Sequence, residues 1–428
     1  MMRALARFLL SAALPLSLVS LSACVTEDDE VASVPEEAFP GQTGRPGVAR
    51  VMSGHGELEL AYEVIDGMAI AEGDIVLGKA DELEGDVAKS ASRSAATYRW
   101  THGWVPYQLG SGFSADERNE IEAAVALWDL LSLYDFRERT TETSYIVFRR
   151  VDDGCSSAVG RQTGVQYVNV SGGCSLGNVL HEVGHALGLY HEQMRADRDR
   201  YITINWRNIE AGKEGNFRSY VERGLDGTDQ LGFDFGSIML YGSYFFSDNG
   251  EPTIVKKDGS TFDAQRSTPS DTDLGGANRF LTYAPGTPLF NIRNVGSGLC
   301  LDLGVDQRTR GTRLSQRTCD GSPSQRWYVW DTPNSAADVI INAWSGMCVA
   351  GDASASDPQR MRQLPCNRLG NMGIWLQYAW APSTDRLLTI PAWSQCVEVR
   401  GASTSSGAAV DRAACDRASN QRWRFTAI

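Results

Sequence analysis

The sequence predicts two unlike folded parts in series, one mixing helices with strands and one assembled from three copies of a single unit. Three observations carry this. The run His181-Glu182-Val183-Gly184-His185 has helical spacing and follows strand-like segments of alternating polarity. Beyond about residue 288 a cysteine-centred segment recurs every 48 residues. Eight cysteines beyond residue 150 form four successive pairs, 19, 19, 18 and 19 residues apart, an even count that reads as disulfides in an exported chain.

The amino-terminal part carries signals of its own. Met1 to Arg7 is short and basic, and Phe8 to Leu21 is apolar but too short for a membrane span. Leu21-Ser22-Ala23-Cys24 resembles a bacterial lipobox, which implies a lipoprotein signal peptide over 1–24, lipidation at Cys24 and an exported bacterial lipoprotein anchored at the cell envelope. Residues 25–47, acidic and then rich in proline and glycine, read as a flexible linker. Residues 48–93 have mixed polarity, and a small, polar stretch between about 85 and 97 is suited to exposed processing. The net charge of −13 argues against a nucleic-acid partner.

The mixed part runs from about 94 to 285. Trp100 to Tyr107 reads as an entering strand. Ser114 with Glu117 forms a capping box opening a helix through Ile121, Val125, Trp128 and Leu131. Tyr145 to Arg150 and Val165 to Val170 read as strands. On the helix that follows, His181 and His185 lie about 40° apart and about 6 Å along the axis, so both imidazoles face one point. Gly188 can adopt the left-handed conformation that ends a helix, and His191 can then reach the same point. Three neutral imidazoles with one open position describe a catalytic zinc site. Glu182 is placed to take a proton from metal-bound water. His55 and His102 stand alone and read as surface or structural residues.

The run from His181 to Asp199 resembles the zinc signature of the astacin family of metalloendopeptidases, within the metzincins. The glutamate after the third histidine, Glu192, points to that family, where this residue orients the mature amino terminus. Ser237-Ile238-Met239-Leu240-Tyr241 resembles the family's methionine turn. By resemblance Met239 floors the imidazoles, and Tyr241 is an extra zinc ligand that swings away to stabilise the oxyanion. Leu240 stands where the family usually has histidine. Ala71-Glu72-Gly73-Asp74 resembles the propeptide motif whose aspartate coordinates zinc in the latent form, although Ala71 replaces the usual phenylalanine. Asp74 would then be a ligand of the zymogen, and 48–93 an inhibitory propeptide. Ala158-Val159-Gly160 resembles the edge strand that pairs with substrate, and Cys155–Cys174 one of the family's two disulfides. The resemblance implies an α+β metzincin domain, a mixed sheet plus an active-site helix, holding one Zn2+ per chain and cleaving protein or peptide substrates.

The repeat, residues 288–428, centres on Cys300, Cys348 and Cys396, which pair in order with Cys319, Cys366 and Cys415. Its units end in Gln325-Arg326-Trp327, Gly373-Ile374-Trp375 and Gln421-Arg422-Trp423. Three such units resemble a ricin-type lectin, an all-β trefoil of twelve short strands. The resemblance implies a carbohydrate ligand at Asp302 in unit one and at Glu398 and Asn420 in unit three, and a lost site at Ala350 in unit two. A surface lectin or adhesin with a non-essential protease domain is the alternative, opposed by an intact Glu182 beside three intact histidines.

Overall fold

A computed structural model describes residues 44–53, 56–83, 98–225, 227–282, 286–304, 310–331, 338–351, 356–366, 375–378, 385–390 and 394–428. Cys24, the signal segment, most of the expected linker, the processing stretch and His55 lie outside the described residues.

The segment expected to be a propeptide is a four-stranded meander: β1 (Arg45–Ser53), β2 (Gly56–Ile65), β3 (Met68–Ala71) and β4 (Ile75–Lys79), followed by a short α1 (Ala80–Leu83). Asp66 and Gly67 both have positive φ, 49° and 75°, as a two-residue hairpin turn between β2 and β3 requires. Strand β1 begins inside the expected linker, so Arg45–Gly47 belong to the sheet. Gly47 is required there, because a Cβ would lie 2.4 Å from the Tyr62 ring.

These strands extend the catalytic sheet. Its order is β1-β2-β3-β4-β8-β9-β7-β5-β6, with β5 (Trp104–Leu109), β6 (Asp135–Glu138), β7 (Tyr145–Arg150), β8 (Cys155–Ser157) and β9 (Val165–Val170). Strands β9, β7, β5 and β6 are parallel, and β8 is antiparallel to β9. Strand β4 lies parallel to β8 and occupies its outer edge. The strand beside β4 is Cys155–Ser157, and Ala158–Gly160, expected as an edge strand, lies just beyond it in a bend. Gly160 has a φ of 72° and donates its N–H to His185 O at 2.8 Å, which ties that bend to the histidine helix.

Helix α2 (Ala115–Leu131) starts at the reciprocal Ser114–Glu117 cap and buries Ile121, Val125 and Trp128 against α3 (Leu176–Ala186). The Trp128 indole donates to Leu180 O at 3.0 Å, and Trp100 donates to Ala186 O at 2.9 Å. Disulfide Cys155–Cys174 joins β8 to the start of α3. A small hairpin, β10 (Ile202–Ile204) with β11 (Ile254–Lys256), and helix α4 (Asp271–Thr282) complete this part.

Among the described residues twelve strands follow, from β12 (Phe290–Asn294) to β23 (Arg422–Ala427), as a β-trefoil with its three disulfides Cys300–Cys319, Cys348–Cys366 and Cys396–Cys415. Its threefold centre is a closed ring: Leu314 N donates to Met361 O, Met361 N to Val410 O, and Val410 N to Leu314 O. Trp327 and Trp423 are fully buried, each donating its indole N–H to a strand carbonyl, Leu301 O and Val397 O. The trefoil docks on α4. Asn278 accepts from Leu133 N and donates to Cys366 O, Arg279 donates to Ala343 O, and Thr282 shares a hydrogen bond with Tyr328. Tyr328, Val339, Ile341 and Cys366 thereby join the apolar core of the catalytic part.

Candidate active site

The site is built on α3 and the turn that ends it. Ser175 and Asn178 cap its first turn reciprocally. Gly177 lies against the Arg266 backbone, where a Cβ would fall 1.7 Å from the carbonyl oxygen. Gly184 faces Met239, whose sulfur would be 2.8 Å from a Cβ, so the methionine packs directly under the helix. Gly188 has a φ of 109° and donates to His185 O, and Leu189 N returns to Gly184 O, the left-handed ending that turns the chain towards His191.

His181, His185 and His191 converge with Asp74 of the amino-terminal meander. One ligand atom from each lies within 4.8 Å of the others, and all four residues are buried. The outer ring nitrogens face acceptors: His181 Nδ1 donates to Ile238 O and His185 Nδ1 to Leu189 O, both at 2.8 Å, while His191 Nδ1 donates to Glu72 Oε2 at 3.2 Å. A carbonyl can only accept, so the two carbonyl partners place the proton on Nδ1 and leave the Nε2 lone pairs pointing inward. Those Nε2 atoms surround the Asp74 carboxylate at 3.3, 3.7 and 3.0 Å. Among the described residues His185 Nε2 and Asp74 Oδ1 are buried without a hydrogen-bond partner. Inward nitrogen lone pairs, a carboxylate and orphaned buried ligand atoms fit a zinc ion.

Burial opposes ionisation of Asp74, but the neighbouring imidazoles, His191 first among them, outweigh it and hold the carboxyl well below its usual range. Burial, and then the Asp74 charge, push Glu182 well above the usual carboxylate range. Its Oε2 is buried and without a partner among the described residues.

Tyr241 does not face the cluster as a ligand here. Its hydroxyl donates to the Glu72 carbonyl, and its ring lies 4.6 Å from that of His191. Glu192 is half-buried and accepts from Asp234 N at 2.9 Å; desolvation, opposed by the Arg195 charge, pushes it up to about 8. It lines a cavity of roughly 230 Å3 with Arg99, Arg195, Asp229, Arg279 and Phe280. His102 is exposed beside Trp104, remote from the cluster in sequence and in contacts.

Several residues of the site were not anticipated. Glu72 bridges His191 and Arg223. Arg266 donates to both Ile238 O and Leu240 O. Asp273 accepts from Ser237 Oγ at 2.6 Å and from Ile238 N at 2.9 Å, which fixes the methionine turn from α4. Only Asp273 had a local signal, the Ser270-x-x-Asp273 cap.

In the trefoil, Asp302 accepts from the Gln325 amide at 2.7 Å, and Glu398 from Gln421 at 3.0 Å and Asn420 at 3.3 Å. Ala350 is buried in unit two, which carries the face docked on α4.

A family model described as Astacin (Peptidase family M12A) matches residues 92–282, and one described as Ricin-type beta-trefoil lectin domain-like matches 279–364. Zinc metalloproteinase nas-13 of Caenorhabditis elegans is 37% identical over 179 residues, 41% of this chain and 39% of that protein. Zinc metalloproteinase nas-4 of the same nematode is 34% identical over 223 residues, 50% of this chain and 70% of that protein. Human meprin A subunit beta is 36% identical over 215 residues, 49% of this chain and 29% of that protein. A solved structure, the hatching enzyme zinc-protease high choriolytic enzyme 1 of Oryzias latipes (medaka fish), shares 32% identity at a TM-score of 0.38 and covers 42% of this chain and 90% of that one. The chain spans less than half the length of two of these relatives, 39% of nas-13 and 29% of meprin A subunit beta.

The relatives come from nematode, sea urchin and human, which overturns the expectation of a bacterial lipoprotein anchored through Cys24. That expectation rested on four residues, Leu21 to Cys24, and an apolar leader holding a chance cysteine carries the same pattern. With the family model placed over the histidine helix and the methionine turn, and with nas-4 matched over most of its length, the chain belongs to the astacin family.

Proposed function

We propose that this chain is an exported zinc endopeptidase made as a zymogen, with one zinc held by His181, His185 and His191 and, in the latent form, by Asp74. The observation that carries the reading is the convergence of three inward Nε2 atoms on the Asp74 carboxylate beside buried Glu182. Bound zinc would polarise a scissile carbonyl and lower the pKa of water towards roughly 7. Four disulfides support export.

The rest of the chemistry falls to the chain. Strand β4 now fills the outer edge of β8; once it leaves, Cys155–Ser157 offer their backbone to an extended peptide. Glu182, kept basic by burial, accepts a proton from the attacking water and returns it to the departing amine. Tyr241, released from the Glu72 carbonyl, donates its hydroxyl to the developing oxyanion. Met239 keeps the imidazoles from sinking, and the Nδ1 hydrogen bonds keep them aimed. The cavity beside Glu192 receives the amino terminus created by processing. The trefoil holds the enzyme against glycan through Asp302, Glu398 and Asn420.

The test is Glu182→Gln in the processed enzyme. Peptide cleavage falls by a factor of about 10² to 10⁴, the usual contribution of a positioned base, while zinc content stays unchanged. Unchanged cleavage would remove Glu182 from the mechanism.

A further inference from the structure

We propose that the threefold end of the trefoil binds a sulfate ester on an anionic glycan, through Arg313, Arg360, Arg362 and Arg400. The site adjoins the sugar positions Asp302, Glu398 and Asn420 but uses none of them, and it does not depend on the peptidase reading.

Leu314, Met361 and Val410 form the hydrogen-bonded ring at the threefold centre, and all three are fully buried in the trefoil core. Successive side chains of an extended chain alternate, so the residues on either side of the ring point away from that core. They are Arg313 and Ser315 in unit one, Arg360 and Arg362 in unit two, and Ala409 and Asp411 in unit three. Backbone bridges join them around the axis: Arg313 with Arg362, Arg360 with Asp411, and Ser315 with Ala409. Arg400 completes the set, since its backbone N–H donates to Ala409 O at 2.9 Å. Burial lowers the pKa of Arg360, and the charges of Arg400 and Arg313 add to the effect against the pull of Asp411.

The carboxylates here are already committed. Arg400 pairs with Asp411 and, at 3.2 Å, with Asp357. Arg360 comes no nearer to Asp411 than 3.7 Å, and Arg362 donates to backbone carbonyls, Gly311 O at 3.2 Å and Asp357 O at 3.5 Å. Arg313 is exposed. Arg362 is 8% exposed, and its Nε, like that of Arg360, is buried without a hydrogen-bond partner among the described residues. A buried guanidinium N–H without an acceptor is costly, and an anionic oxygen relieves it. A sulfate ester offers three terminal oxygens to these planar forks, which suit such an anion.

Unit two carries the matching change at its sugar position. Units one and three place an acid on the facing strand, Asp302 opposite Ser315 and Glu398 opposite Asp411. Unit two places Ala350 opposite Arg362. The carboxylate that would repel an anion is missing where the arginine stands. The net charge of −13 repels a polyanion from the chain as a whole, so attraction must come from local contacts of this kind.

The experiment titrates the full chain by calorimetry, at physiological ionic strength, with a sulfated galactan hexasaccharide and its desulfated counterpart. The wild type binds the sulfated sugar about tenfold or more tightly than the desulfated one. Arg360→Gln and Arg313→Gln each weaken the sulfated sugar about ten- to a hundredfold, the loss expected for a hydrogen bond to a charged group, and leave the desulfated sugar unchanged. Arg360→Lys restores part of the affinity. Arg207→Gln, an equal loss of charge on an exposed residue of the catalytic part, changes nothing. Asp302→Ala with Glu398→Ala leaves the preference for sulfate intact. Thermal unfolding of each arginine variant matches the wild type, which separates lost binding from lost fold. Equal affinity for the two sugars, a preference that survives Arg360→Gln, or an equal loss in Arg207→Gln overturns the site. Displacement of the sulfated sugar by sodium sulfate at the same sulfate concentration overturns the glycan as its source.

Discussion

Asp74→Asn keeps the shape of the side chain and removes its charge. In the unprocessed chain the Asp74 carboxylate faces His181, His185 and His191 Nε2 at 3.3, 3.7 and 3.0 Å. A hydrogen bond to a charged group contributes about 1.5–3 kcal/mol. At about 1.4 kcal/mol per factor of ten, its loss raises the open fraction of the zymogen roughly ten- to a hundredfold. The meander stays mostly docked, because the β4–β8 pairing, Glu72–Arg223 and the 2.8 Å Lys213–Glu63 pair are untouched. The unprocessed variant should therefore cleave a quenched fluorogenic peptide roughly ten to a hundred times faster than the unprocessed wild type, still below the processed enzyme. After processing the two should be identical, since Asp74 lies on the released segment. An unprocessed Asp74→Asn chain as silent as the wild type would refute the latch, as would a difference that persists after processing.

Three further perturbations test the framework. Gly177→Ala forces a Cβ to within 1.7 Å of Arg266 O, beside the Ile238 carbonyl that orients His181; equilibrium dialysis should show weaker zinc binding, and unfolding should be destabilised by about 1–3 kcal/mol. Asn278→Ala strands Leu133 N–H and Cys366 C=O at the junction with the trefoil, and calorimetry should show a loss of about 1–3 kcal/mol for each unpaired group, with a single transition splitting towards two. Replacing both Cys155 and Cys174 by serine opens a bridge of sequence separation 19 and should lower stability in urea by roughly 3 kcal/mol on the loop-entropy account.

The histidine helix was legible because its information is local. Helical spacing puts His181 beside His185, and Gly188 lies where a left-handed residue must turn the chain to His191. The four disulfides close in chain order, and the Ser114 cap lies where a capping box predicts it. The trefoil showed itself through repetition. The amino-terminal meander did not: Asp66-Gly67 is a hairpin signal, but β1 starts among proline and glycine that read as linker, and its pairing with β2 is set by the fold rather than by local pattern. Glu72 and Arg223 lie 151 residues apart, so nothing local announces their bridge. Docking of the second repeat on α4 was equally hidden, because Val339, Ile340 and Ile341 form a short apolar run buried on both faces, which does not say what covers either face.

Zinc K-edge absorption of the unprocessed chain is the most direct measurement of the coordination at the heart of this reading. It should show one zinc per chain with three imidazole nitrogens and one carboxylate oxygen, and processing should change the oxygen shell alone. A purified chain without zinc, or a metal bound by sulfur or by fewer than three imidazoles, would contradict it.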